Sequence, residues 1–187
     1  MPWQATQRPM YDRIVAVPRL ICTVRPSEFC SEHPLASIAK GVERALGASF
    51  DSVDLHYYRT GQDSVAWHGH RISRNRARPA TVALVSLGSP RTLSLRRVAQ
   101  SSTPGHDEIS ASISTRPTRA TRFDWPLGHG DLFVMRGACQ SEWEHCVPKQ
   151  RAGGPRMSLA YRCKEAAEDP RNRSSGVPTL WASRELG

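Results

Sequence analysis

The sequence has no run approaching the ~18 consecutive apolar residues that a membrane-spanning helix needs, so a transmembrane helix is not expected. It has no C-x-x-C pair, and its cysteines (Cys22, Cys30, Cys139, Cys146 and Cys163) are odd in number. A disulfide framework and a thiolate zinc site are therefore not expected; free thiols in a reducing compartment are. The opening residues, MPWQATQRPMYDR, contain no apolar stretch of the kind an export signal carries, and the expected location is the cytoplasm. Lysine is scarce: Lys40, Lys149 and Lys164 are the only three among 26 basic residues, so arginine carries nearly all of a net charge of +9. Arginine suits bidentate pairing with phosphate or carboxylate. A high-GC genome enriches arginine equally well, and composition does not choose between the two. Aromatic residues are missing from residues 98–122, which are rich in Ser, Thr and Arg and read as a long mobile insertion between strands. No internal repeat is visible.

What is present fits one globular domain. The 187 residues are 39% hydrophobic and 23% charged, enough for a single core and too few for two ordinary domains. Residues 1–30 are short mixed segments punctuated by Pro9, Pro18 and Pro26, with 20–24 as a strand candidate. Leu35, Ile38, Val42 and Leu46 then form one apolar helical stripe, with Pro34 suited to the first helical position and Gly47 to the stop. Beyond the helix the period becomes two. Residues 52–58, 64–68, 81–87, 92–95, 131–136 and 157–162 read as strands separated by Gly/Pro turns. The pattern predicts a mainly-β fold with supporting helices (α+β), a sandwich or jelly roll.

Two constellations carry chemistry. On a strand, His68 and His70 of Trp67-His68-Gly69-His70-Arg71 point to one face, so both can meet one metal; two exposed or singly hydrogen-bonded histidines fit the same spacing. His145 is a third candidate, far along the chain. A non-haem iron site takes two histidines and a carboxylate from distant strands. The second constellation is Arg156, Ser158 and Arg162, which share one strand face. Arginines facing a sandwich interior are costly without an anion, and a dicarboxylate would supply one. An edge strand with its arginines in water is the alternative.

Taken in order, several segments resemble the AlkB family of Fe(II)- and 2-oxoglutarate-dependent dioxygenases, especially compact bacterial members. They are residues 10–20, 50–53, 58–59, 63–69 (DSVAWHG), 86–91 (SLGSPR), 127–135 (LGHGDLFVM), 143–149 (WEHCVPK) and 154–162. The resemblance covers roughly residues 3–162. It implies a double-stranded β-helix (jelly roll), Fe(II) held by His68 and His145 with His70 beside them, and 2-oxoglutarate as cosubstrate. Arg156 would pair with the distal carboxylate, Tyr58 would hydrogen-bond the cosubstrate, and Ser158 and Arg162 would lie alongside. Substrate contacts are expected from Tyr11, Arg13, Arg19, Trp67, Arg71 and Arg91, with the basic stretch 71–78 holding phosphates or forming a solvated loop. The implied activity is oxidative demethylation of alkylated single- or double-stranded DNA, or of RNA, by a monomeric bacterial cytoplasmic protein without membrane contact. Residues 1–162 would form the dioxygenase-like domain, enclosing the 98–122 insertion, and 163–187 a polar tail in which Leu180 and Trp181 can dock.

Three departures from the family pattern stand out. His70 occupies the place of the metal-binding aspartate, His56 that of an asparagine, and the family's leading strand and helix do not precede Pro2-Trp3. The last suggests a late start or a lost leader. Imidazole in place of carboxylate adds one unit of charge and removes an oxygen donor that suits Fe(II). It predicts weaker iron binding and slower turnover than a His70→Asp variant. It also raises the alternative of a catalytically impaired nucleic-acid-binding relative of the fold.

Overall fold

The computed structural model describes residues 3–10, 13–25, 28, 30–69, 81–98, 122–136, 138–163 and 179–181, without the side chains of 6–10, 13–17, 138, 141, 163 and 179–181. The strands are β1 (Gln4–Met10), β2 (Arg13–Val24), β3 (Ser52–Tyr58), β4 (Val65–His68), β5 (Thr81–Gly88), β6 (Arg91–Arg97), β7 (Arg122–Leu127), β8 (Leu132–Met135), β9 (Trp143–Val147), β10 (Arg156–Cys163) and β11 (Thr179–Trp181). Helix α1 (Pro34–Leu46) follows β2, and a single turn, α2 (Ala138–Glu142), precedes β9. A large sheet runs β1-β2-β3-β10-β5-β8-β11 and a small one β4-β9-β6-β7, with every recorded pairing antiparallel. This is the expected jelly-roll architecture: two facing sheets with a helix on one side.

Helix α1 starts and stops where its sequence signals lie. The His33 ring accepts the Leu35 N–H at 3.2 Å, Pro34 fills a first-turn position whose N–H has no partner to lose, and Gly47 closes the helix at φ 60°. Leu35, Ala39 and Val42 bury against Val53 and Leu55 of β3, Ala83 and Val85 of β5, and Leu159 and Tyr161 of β10. Alternate residues of β5 and β10 turn the other way, as do Phe133 and Met135 of β8. Val82, Leu84, Phe133, Met135 and Ala160 meet Leu93, Leu95, Leu127 and Val147 of the small sheet in a second core. Strands β5 and β8 are thus buried on both faces, which is why they read as unbroken apolar runs.

The prolines mark irregular places. Pro9 lies in β1 and Pro126 in β7, each the edge strand of its sheet, where a missing N–H breaks no internal ladder. Pro18 lies where β2 slips register against β1, and its carbonyl accepts the Ser64 N–H at 2.9 Å. The sequence reading assigned no strands at β1, β7 or β9. In the predicted tail, residues 179–181 add a strand to the large sheet, with Leu180 opposite Phe133. The rest of the tail and the core of the 98–122 insertion lie outside the described residues. Among the described residues no helix is long and apolar enough to cross a membrane.

Candidate active site

A cleft opens between the sheets and has a volume of about 460 Å3 counted out to its mouth. Its small-sheet wall carries His68 and His145, which are direct cross-strand partners on β4 and β9. Val65 pairs with Val147, so β4 spends one residue more than β9 between the two pairs. This bulge places Val65 and His68 in the same cleft although they are three residues apart, a spacing that a regular strand would split between faces. The two imidazole centroids are 4.1 Å apart. Nδ1 of His68 lies 2.9 Å from the Ala66 carbonyl. A carbonyl can only accept, so Nδ1 carries a proton, and in the neutral ring Nε2 then keeps the lone pair with which imidazole binds a metal.

His70 lies outside the described residues, as do Tyr11, Arg71 and the rest of the basic stretch 71–78, and the side chain of Arg13. Among the described residues no group of three or more His, Cys, Asp or Glu is arranged to hold a metal. The pair on β4 and β9 supplies two nitrogen donors of the three that the motif implies.

The opposite wall belongs to β3 and β10. Arg156 pairs in register with Tyr58, Ser158 with His56, and Ala160 with Asp54. Arg156 is only 2% exposed. One terminal nitrogen donates to Ser86 Oγ at 2.8 Å, and the guanidinium sits 5.1 Å from the centre of the Tyr58 ring. Its Nε and other terminal nitrogen have no hydrogen-bond partner. A guanidinium stays charged even when burial pulls its pKa down, as here. A buried cation with unused donors in a cleft suits a carboxylate, and so the residues present fit a dicarboxylate cosubstrate. Burial also raises the Tyr58 phenol, which remains a neutral donor and acceptor beside Arg156. Burial, aided by the Arg19 charge, lowers His56 to about 3, so this ring contributes a neutral hydrogen-bonding edge.

Of the residues expected to touch substrate, Arg19 is 9% exposed and near enough to His56 and Tyr58 to influence both. Two others have partners within the fold. Arg91 is 1% exposed and donates to three backbone carbonyls: Asp63 at 2.8 Å, Pro148 at 2.7 Å and Thr60 at 3.2 Å. It ties together the loops leading into β4 and out of β9, and its Nε has no hydrogen-bond partner. Trp67 falls in the β4 bulge and turns away from the histidine cleft, beneath the guanidiniums of Arg96 (4.4 Å) and Arg122 (5.6 Å). Sequence reasoning missed Ser86. Its signal was a lone hydroxyl in the inward phase of an otherwise apolar strand.

A family model described as the 2OG-Fe(II) oxygenase superfamily matches residues 16–171. The alpha-ketoglutarate-dependent dioxygenase alkB homolog 3 of Homo sapiens is 33% identical over 132 residues, 70% of this chain and 42% of that protein. The DNA oxidative demethylase ALKBH2 of Arabidopsis thaliana is 31% identical over 183 residues, 87% of this chain and 58% of that protein. The Homo sapiens protein of the same name is 26% identical over 129 residues, 68% of this chain and 45% of that protein. The chain spans about half the length of these curated relatives. The family model covers most of the chain, including both cleft walls with His68, His145 and Arg156, and the chain belongs to the 2OG-Fe(II) oxygenase superfamily.

Proposed function

We propose that this chain is an Fe(II)- and 2-oxoglutarate-dependent dioxygenase that removes alkyl groups from the nitrogens of nucleobases in DNA or RNA, acting as a cytoplasmic monomer. The observation that carries the reading is Arg156, a buried cation with two unused donors, in one cleft with the His68–His145 pair. His68, His145 and His70 are the proposed metal donors. Bound Fe(II) would activate O2, which is the oxidant of the N-alkyl carbon, with decarboxylation of 2-oxoglutarate to succinate supplying the other two electrons that O2 takes up.

The protein's own groups do the positioning. Arg156 and Tyr58 take the distal carboxylate, with Ser86 locking the guanidinium plane. Ser158 and Arg162 continue the same strand face toward the other end of the cosubstrate. Leu84, Leu93, Met135 and Val147 line the cleft with apolar surface and limit water there. The alkylated base must leave its stack to reach the cleft. Arg13, Arg19, Arg71 and Tyr11 are the proposed contacts, and the net charge of +9 favours a polyanion. Two of the relatives carry names that describe DNA oxidative demethylases.

The test combines calorimetric titration of 2-oxoglutarate with succinate and formaldehyde release on an N-methylated single-stranded oligonucleotide. Wild type should bind and turn over, and Arg156→Ala should lose at least ~100-fold in 2-oxoglutarate affinity, because a buried charge-assisted pair disappears. Unchanged affinity in Arg156→Ala refutes the reading.

A further inference from the structure

The β10 register leaves one ion pair out of line. Arg162 lies directly opposite Ser52 on β3, and Asp54 lies opposite Ala160. Yet Nε of Arg162 donates to Oδ2 of Asp54 at 2.7 Å. The bond is diagonal. It pulls the guanidinium back along the strand by two residues, toward Ser158 and Arg156. The other carboxylate oxygen, Oδ1, accepts the Thr23 hydroxyl at 2.7 Å, from the cross-strand partner of Asp54 on β2. Each oxygen of Asp54 is therefore held by a different neighbouring strand, and both side chains of the ion pair are largely shielded, at 28% and 19% exposure. Burial raises the Asp54 carboxyl, but Thr23 and Arg162 together more than offset it and keep it below the usual range, so the group is an anion at neutral pH.

We infer that Asp54 is a positioning residue: through Arg162 it sets a second cation in the cleft at a fixed separation from Arg156, and so matches the site to a five-carbon dicarboxylate. The chemical reason is length. Two arginines six residues apart on one strand face have Cα atoms ~20 Å apart, far more than a short diacid spans. Each guanidinium must reach inward. Arg156 is locked by Ser86 and Tyr58; Arg162 is drawn inward by Asp54. Without Asp54 the long arginine side chain loses this anchor and more rotamers open to it. A carboxylate fixed by two strands holds the guanidinium before ligand arrives, which lowers the ordering cost of binding.

This inference rests on the 2-oxoglutarate reading of the cleft. The test is calorimetric titration of 2-oxoglutarate into the full chain and into Asp54→Asn, Arg162→Ala, the double variant and Thr23→Val, with thermal melts of each. Asp54→Asn keeps shape and loses charge. It should bind 2-oxoglutarate about tenfold more weakly while melting near wild type. In the Arg162→Ala background the same change should cost less than about twofold, because Asp54 has nothing left to position. Thr23→Val should weaken binding in the same direction and by less. Equal affinity of Asp54→Asn and wild type overturns the inference alone, as does a full tenfold loss that persists in the Arg162→Ala background, which would mark Asp54 as merely structural. Failure of wild type to bind 2-oxoglutarate overturns the inference together with the proposed function.

Discussion

Replacing Arg91 separates a role in substrate contact from a role inside the fold. Its guanidinium donates to the carbonyls of Asp63, Pro148 and Thr60. The Thr60 carbonyl also accepts the Asp63 N–H at 3.2 Å, so it stays partnered if Arg91 goes. The other two bonds are short and charge-assisted, and each buried carbonyl left without a donor costs ~1–3 kcal/mol. Lost packing over the Tyr58 ring, 5.5 Å from the guanidinium carbon, adds to this. Relief from burying a cation subtracts from it. The net expectation for Arg91→Ala is a loss of about 3 kcal/mol, with Arg91→Met recovering the packing part. With a urea m-value near 2 kcal/mol/M, the midpoint should fall by about 1.5 M at unchanged m. The five tryptophans provide the fluorescence signal. At low denaturant, where the variant is folded, its affinity for a single-stranded oligonucleotide should stay within about threefold of wild type. A variant as stable as wild type that binds the oligonucleotide more weakly would refute this reasoning and return Arg91 to the substrate surface.

Gly88 and Gly47 both have positive φ, at 93° and 60°, but a Cβ at Gly88 would stand 2.6 Å from the Pro155 carbonyl oxygen and one at Gly47 would meet nothing. Gly47→Ala should therefore cost about 1 kcal/mol by denaturation. Gly88→Ala should cost at least twice as much and also weaken 2-oxoglutarate binding, since Gly88 lies opposite Arg156 in the β5–β10 register. Asp63 accepts hydrogen bonds from Arg59 Nε (2.8 Å), Arg59 N–H (2.9 Å) and the second Arg59 terminal nitrogen (2.8 Å). Arg59 holds its carboxyl below the usual carboxylate range. A depressed folded pKa contributes stability that is complete above the unfolded value near pH 4 and disappears as pH falls through the lower folded value. Stability measured between pH 6 and 3 should therefore fall less steeply in Asp63→Asn than in wild type; parallel curves would count against the pair.

Local physics made much of this protein readable from its residues. Helix α1 was legible because its stripe, its proline and its glycine are all local signals. The limits of β3 were legible because alternation in SVDLHYY reports a strand with unlike faces. The histidines proposed to hold a metal and Arg156, proposed to hold an anion, stood out in the sequence because the chemistry needs those residue types in those segments, and the family resemblance rests on them. Strands β1 and β7 were not, since an edge strand needs no clean alternation and tolerates proline. Sequence spacing did not show which way Trp67 faces: only the pairing of β4 with β9 creates the bulge that puts His68 inward and Trp67 outward. Arg91 and Arg156 are the same residue type at strand starts, and nothing local distinguishes them. Both lie over the Tyr58 ring, and what separates them is what else the tertiary fold brings within reach: three loop carbonyls for Arg91, and for Arg156 one serine hydroxyl and a cleft. Hydrogen-bond partners distant in sequence decide whether a buried charge is satisfied within the fold or keeps donors for a ligand, and those partners exist only once the sheets have formed.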